Sequence, residues 1–292
     1  MTTRQTEDVD GTVLSMLHAG DTGPTVLTLH GIPASAELWR GVVPLVAAAG
    51  YRVLAPDLPG YGRTRPSASA DLSLVGIADL LARWLQARDE APMHLVGHDI
   101  GGGIAQLLAV RHPQLIRSLT LSNCIVEDRW PVPALRPMQR LACTGLYPTA
   151  ARFGLVASTT NRRALARTFV PPHRLPDDAN LAVFWDDKVS SPQGRRAFAR
   201  HLTSLAPDQL LAHSEALRTL PFPTQLIWAA HDRFQPWDPI GLRLAELLDD
   251  PRIDHLPSSG HFAPLEVPED FSEALLPFLT FAASIPPIKA MS

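Results

Sequence analysis

Asp99 is the residue in this sequence whose type and setting point most directly to chemistry. It lies in Met93-His94-Leu95-Val96-Gly97-His98-Asp99-Ile100-Gly101-Gly102-Gly103-Ile104-Ala105, where Gly97 and Gly101 flank it in the pattern G-x-D-x-G. That is the spacing of a sharp strand-to-helix turn, which thrusts one side chain out over a sheet. Glycine is needed on either side because Cβ atoms would clash as the chain reverses. A helix starting there adds free backbone N–H groups and the positive end of its dipole. A carboxylate is already ionised at neutral pH, with a reference pKa of about 3.9, so it needs no base before it attacks. It can attack an sp³ carbon directly and leave an alkyl ester on the protein.

The elements around Asp99 fit that turn. An apolar run before it reads as a buried strand, and Ile104 to Val110 reads as a helix. Earlier, Gly11 to Ala19 reads as a first strand, and Thr25 to His30 as a short β-rich strand that runs into His30-Gly31-Ile32-Pro33. A helix carrying Trp39, Val42, Val43 and Leu45 follows, then a strand from Tyr51 to Pro56, a Gly/Pro loop from Asp57 to Thr64, and an amphipathic helix from Leu72 to Trp84. Leu115 to Ser122 is another strand. Buried strands alternating with helices imply a mostly parallel sheet covered on both faces. The alternation stops after Ile125, and the pattern to about Arg218 is helical and interrupted by prolines. It resumes with a strand at Thr224 to Ala229, a helix near Leu242 to Leu248, a strand at Arg252 to Leu256 and a last helix near Phe271 to Phe281. The expected organisation is a core of 1–125 and 219–292, with a helical cap inserted over 126–218 above a pocket.

With these landmarks in place, the chain resembles the α/β-hydrolase family over nearly its whole length. The resemblance rests on four motifs in order: His30-Gly31-Ile32-Pro33, the turn at Asp99, Trp228-Ala229-Ala230-His231-Asp232, and Ser259-Gly260-His261-Phe262. An Asp at the turn is similar to the epoxide hydrolase and haloalkane dehalogenase branch, as is Ile32-Pro33-Ala34-Ser35-Ala36-Glu37-Leu38-Trp39-Arg40. The resemblance implies that Asp99 is a nucleophile. His261 would activate the water that hydrolyses the Asp99 ester, and Asp232 would orient His261 and stabilise its imidazolium. It also implies an oxyanion hole from the backbone N–H groups of Ile32 and Ile100.

Other residues carry plainer expectations. Asn123 sits where some relatives have the triad acid, but an amide cannot stabilise an imidazolium by charge, which favours Asp232. His98 is expected to pack under the turn and His30 to hold the oxyanion loop. The loop from Asp57 to Thr64 reads as architecture, and Glu127 and Asp128 as solvated residues at the start of the insertion. Haloalkane dehalogenases usually hold the halide with N–H donors at positions matching Ile32 and Ile100, and both are apolar here. Fluoroacetate dehalogenases place arginines after the nucleophile, where this chain has Ile100 and Gly103. Epoxide hydrolases need an acid for the ring oxygen, typically two lid tyrosines. The insertion has one tyrosine, Tyr147, as a possible leaving-group donor, with His173, His201 and His213 as substitutes, and Trp130 and Trp185 as N–H donors to a halide.

The leading expectation is a hydrolase that opens an epoxide through an Asp99 ester. The alternatives are a haloalkane dehalogenase-like C–halogen hydrolase with an atypical halide site, and a non-hydrolytic lyase, cyclase or binding protein on the same fold. Composition agrees. The 292 residues, 46% hydrophobic, suit a large single domain or a core with one insertion. A net charge of −3 gives no basic signature for nucleic acid or anionic membrane. Two cysteines, Cys124 and Cys143, make neither a disulfide framework nor a zinc site. The polar stretch Met1 to Asp10 lacks the apolar core of a signal peptide. The expectation is a cytoplasmic protein, monomer or homodimer, acting on a small apolar organic substrate with no cofactor or metal and no membrane or nucleic-acid partner.

Overall fold

The fold follows from which strands are buried on both faces. In the computed structural model, residues 1–88, 92–131, 133, 135–156, 169, 183–184 and 191–286 are described. The strands β1 Thr3–Val9, β2 Thr12–Ala19, β3 Thr25–Leu29, β4 Arg52–Pro56, β5 Met93–Asp99, β6 Ile116–Cys124, β7 Thr224–Ala229 and β8 Arg252–Leu256 form one sheet. Its order is β1-β2-β4-β3-β5-β6-β7-β8. Every residue of β3, β5 and β7 is buried, as are nearly all of β6. Such near-continuous apolar runs belong in the middle of a parallel sheet with both faces covered. The polar edge strands β1 and β8 are largely exposed.

Helices α1 Val42–Ala48, α2 Leu74–Arg88 and α3 Ile100–Arg111 connect the first strands. Between β6 and β7 the described elements are helical: α4 Arg136–Cys143, α5 Tyr147–Arg152, α6 Pro192–Ser204 and a short turn at Asp208–Leu211. Helices α7 Leu242–Leu247 and α8 Pro268–Ser284 close the chain. Helix α1 packs with α8, and α2 with α3, so helices cover both faces of the sheet. The expected fold class is therefore the observed one: an α/β-hydrolase fold with a mostly parallel sheet and inserted helices.

The strand expected to be first, at Gly11 to Ala19, is the second. It is preceded by β1, to which it pairs antiparallel from Thr3 opposite His18 to Val9 opposite Thr12. The turn is Asp10-Gly11, both at positive φ (53° and 76°), the chemistry that a two-residue hairpin asks for. Strand β1 has no apolar alternation because it is an exposed edge, so periodicity did not reveal it.

That edge strand also anchors the loop under the site. Arg4 of β1 donates to the fully buried Asp57 (2.8 Å), to Ser15 (2.9 Å) and to Glu37 (2.6 Å). Asp57 in turn accepts from the backbone N–H of Ala36 and of Arg63, each at 2.8 Å. The loop from Asp57 is thus architecture, as expected. Arg4→Met leaves the buried carboxylate without its counter-charge. The expected loss is about 3 kcal/mol, the low end for breaking a buried pair because one side of Arg4 meets water. Thermal denaturation measures it; an unchanged melting temperature would mean that the two backbone donors suffice.

Candidate active site

The β5–α3 turn puts Asp99 in a conformation that non-glycine residues rarely adopt, φ 52° and ψ −121°. Strain of this kind persists only where the surroundings impose it. Here they do: a Cβ on Gly101 would lie 2.3 Å from the His30 carbonyl oxygen, so the turn presses directly on the end of β3. A Cβ on Gly31 would lie 2.4 Å from the Asp99 Cβ. This close approach brings the Ile32 backbone N–H to Asp99 Oδ2, at 2.9 Å. Ile100 follows as the first residue of α3, where first-turn amides have no intrahelical acceptor. The structure draws no hydrogen bond from that amide to the Asp99 carboxylate.

Asp232 and His261 meet Asp99 from the loops after β7 and β8. His261 Nδ1 donates to Asp232 Oδ2 at 2.8 Å. Its Nε2 stands 3.9 Å from Asp99 Oδ2, an ion-pair contact too long for a hydrogen bond. All three side chains are buried. Burial works against a charge on His261, but the Asp232 carboxylate, joined by that of Asp99, raises its pKa to about 10. Burial would also raise Asp232. The charge and hydrogen bond of His261 and the backbone N–H groups of Gln235 and Phe234 outweigh it and hold Asp232 below its ordinary range. The two flanking acids thus favour the imidazolium form of His261.

Asn123, read from sequence only as a residue that could not be the acid, has a positioning role. It is the last residue but one of β6, at φ 40° and fully buried. Its Nδ2 donates to Asp232 Oδ2 at 2.8 Å and its Oδ1 accepts from the Ala229 N–H at 2.9 Å. A polar residue at the C-terminal end of a buried strand, one strand from the candidate acid, was the available signal.

The supporting histidines behave as expected. His30 donates from Nδ1 to the Gly31 carbonyl and accepts the Leu58 N–H at Nε2, both at 2.9 Å, which holds the loop carrying Ile32. His98 donates from Nδ1 to the Ser122 carbonyl at 3.1 Å. Its ring packs 4.8 Å from that of His261. Burial and the neighbouring charge of His261 hold its pKa well below the ordinary value, so it is a neutral wall and not a second cation.

Glu127 departs from expectation. It is buried at φ 48° and forms a two-pronged ion pair with Arg243 of α7, at 2.7 and 2.8 Å. The partner is 116 residues away in the chain, so nothing near Glu127 in sequence signals it. Asp128 is exposed, as expected.

Aromatic rings enclose the histidine. Phe234 meets His261 edge-on at 5.1 Å, and Phe262 does so at 4.8 Å. From the segment between β6 and β7, Phe184 packs on Phe262 at 4.6 Å and Phe169 stacks on it at 5.3 Å. Sequence reasoning quoted Phe262 only as part of a motif and gave none of the four a role, because Phe at these positions has no spacing that separates pocket from core. Together with the strands beneath, these rings leave Asp99, Asp232 and His261 almost without exposure to solvent.

The candidate donors are spread over the same segment. Tyr147 starts α5, fully buried, with its ring 5.5 Å from Phe198 of α6. His201 of α6 is fully buried and donates from Nδ1 to the Leu72 carbonyl at 2.8 Å; burial lowers its pKa to about 4. His213 is half-buried and donates to the Gln209 carbonyl. Trp130 is buried. His173 and Trp185 lie outside the described residues. Among the described residues, no group of three His, Cys, Asp or Glu side chains could hold a metal ion.

A carboxylate on a strained turn, an amide on its oxygen and a His–Asp pair facing it define a hydrolase of the α/β class. Comparison with known proteins agrees. The family model for the alpha/beta hydrolase fold matches residues 24–268, and the chain belongs to that family. It is 28% identical over 282 residues to a 2-hydroxy-6-oxononadienedioate/2-hydroxy-6-oxononatrienedioate hydrolase of Cupriavidus pinatubonensis, covering 92% of each chain. Among solved structures, haloalkane dehalogenase DbeA of Bradyrhizobium elkani superposes with a TM-score of 0.79 at 23% identity, over 97% of this chain and 99% of that one. Epoxide hydrolase CorEH does so at 0.77 and 21% identity, over 96% and 99%.

Proposed function

We propose that this hydrolase opens an epoxide through an alkyl ester on Asp99. The observation that carries the reading is the occupant of the turn: a carboxylate, with the Ile32 amide on one oxygen and His261 Nε2 3.9 Å from that oxygen. A carboxylate oxygen attacks a ring carbon, the carbon–oxygen ring bond breaks, and the ring oxygen takes the proton of Tyr147, which the His261 imidazolium replaces, leaving Nε2 free to act as a base. Water then attacks the Asp99 carbonyl carbon while His261 Nε2 takes its proton. The resulting oxyanion accepts from the Ile32 N–H, with the Ile100 N–H as the second donor. Collapse breaks the bond between that carbon and the alkoxy oxygen, which takes the proton from His261 Nε2 as the diol leaves, and the proton of the restored Asp99 carboxyl returns to His261. Asp232 and Asn123 hold His261 in place.

A single turnover in H₂¹⁸O tests the ester. The first product should carry oxygen from the protein, with ¹⁸O appearing in Asp99. Label in the first product instead would mean direct attack by water and would leave Asp99 a base. A panel of epoxides and haloalkanes, read by diol and halide release, identifies the leaving group. The apolar side chains of Ile32 and Ile100 favour the epoxide. One observation favours C–halogen chemistry on the same ester: the indole N–H of Trp130 is buried without a hydrogen-bond partner among the described residues, and a halide accepts from such a donor.

Tyr147 is the proposed donor to the ring oxygen, since a phenol with a pKa near 10 can donate at neutral pH. Tyr147→Phe keeps the ring against Phe198 and removes only the hydroxyl. Alkylation of Asp99 is expected to slow by about 10²-fold, the lower range for general acid help, while hydrolysis of a formed ester is spared. Equal alkylation rates in single-turnover mixing would remove Tyr147 from the mechanism and leave His201 or Trp130 as the candidate.

A further inference from the structure

The net charge of −3 conceals a local reversal. Positions 133–156 hold three arginines, Arg136, Arg140 and Arg152, and no Asp or Glu. All three arginines are exposed. The same stretch carries Leu146 at 58%, Phe153 at 71% and Leu155 at 67% exposure. Apart from Met1, these are the most exposed large apolar side chains among the described residues. Leu146 and Phe153 flank α5 as the residues immediately before and after it. Within the helix, Tyr147 and Ala151 are buried. Helices α4 and α5 both pack on α6, so their outer faces look away from it together. The guanidinium of Arg152 lies 5.9 Å from the centre of the Phe153 ring. Exposed apolar side chains and exposed cations thus occur together on the described part of the helical segment, with Arg152 directly beside Phe153.

We propose that this face docks on an anionic lipid surface. Exposed Leu and Phe beside Arg, here on a short helix and its flanks, can seat a protein in the headgroup region: the apolar side chains enter the acyl boundary and the cations meet lipid phosphates. Charge decides between occupants. A symmetric dimer through this face would set three arginines against the same three arginines, with no acid in the stretch to pair them. An anionic surface supplies the missing charge. No helix of the described residues is long and apolar enough to cross a membrane, so the attachment is peripheral. The proposal stands independently of the reaction at Asp99. It would bring the apolar site to the phase where apolar substrates collect.

Flotation of the full chain with vesicles tests it. Binding to vesicles of phosphatidylcholine with 30% phosphatidylglycerol (~30 mol%) should exceed binding to phosphatidylcholine alone by about a hundredfold, the value for three arginines near an anionic surface. Raising the salt concentration should weaken it. Phe153→Ser with Leu155→Ser should reduce binding at least about tenfold, because burial of those chains is lost. Arg136→Glu with Arg140→Glu should abolish the preference for anionic vesicles; these side chains are exposed, so both variants should fold. No binding to anionic vesicles overturns the proposal. So does equal binding to both vesicle types. A dimer in sedimentation velocity that Phe153→Ser with Leu155→Ser dissolves, without vesicle binding, would assign the face to a second copy instead.

Discussion

Replacing His261 with Gln is expected to leave the enzyme stalled with its substrate attached to Asp99. The ionised Asp99 needs no base for the first attack, so alkylation is largely spared. The water of the second step needs one, and general-base help contributes about 10²–10⁴ in rate. The ester should therefore accumulate on the peptide that contains Asp99. Its mass identifies the reaction, because an epoxide adds its whole mass whereas a haloalkane adds its mass less that of the hydrogen halide. Charge explains why the two steps can share one site. The Asp99 carboxylate contributes to the high pKa of His261 of about 10. Esterification neutralises that carboxylate, so the imidazolium loses part of its support at the stage where a neutral base is required. Opening an epoxide consumes one proton and His261 has one to release, whereas halide displacement consumes none. A variant that forms no adduct from a substrate that the wild type turns over would place His261 in the first step or show that no ester forms.

The parts of this site that were legible in the sequence are those fixed by local geometry. Gly97 and Gly101 announce the turn because no side chain fits there, and the Cβ of a residue at 101 would meet the His30 carbonyl. The strands β3, β5, β6 and β7 were legible because burial on both faces demands continuous apolar runs. His261 and Asp232 were found through motif order, and the structure brings them within 2.8 Å of each other. What local pattern could not give were partnerships between distant segments. The Asn123–Asp232 bond spans 109 residues and the Glu127–Arg243 pair spans 116. The Phe169, Phe184 and Phe262 cluster joins the helical segment to the last loop in the same way. Strand β1 failed for the opposite reason: as an edge it needs no apolar face, and only Asp10-Gly11 marked it. The exposed arginines and apolar side chains of 133–156 were visible as letters, but net charge averaged them away.

Asp232→Asn is expected to cost about 10⁴ in turnover, the scale found when the buried acid of a triad becomes an amide. The reason here is a count of donors. Asp232 Oδ1 accepts from the Phe234 and Gln235 N–H groups, and Oδ2 accepts from Asn123 Nδ2 and His261 Nδ1. An amide has a single acceptor atom, so its NH₂ must face donors on one side or the other. If the oxygen stays with the backbone, His261 confronts an N–H and must turn or change tautomer. Alkylation by substrate should proceed and ester hydrolysis should fail, as with His261→Gln. Stability reports the charge on His261 independently of turnover. In the wild type the Asp232 carboxylate, joined by that of Asp99, raises the His261 pKa to about 10, above its unfolded value of about 6.5. A group whose folded pKa is raised adds stability that is full below the unfolded pKa and is lost as pH climbs through the folded one. The melting-temperature gap between wild type and Asp232→Asn should therefore be widest near pH 6 and shrink towards pH 10. A gap that stays constant over that range would mean that Asp232 supports the fold through its hydrogen bonds alone and leaves the charge on His261 to Asp99.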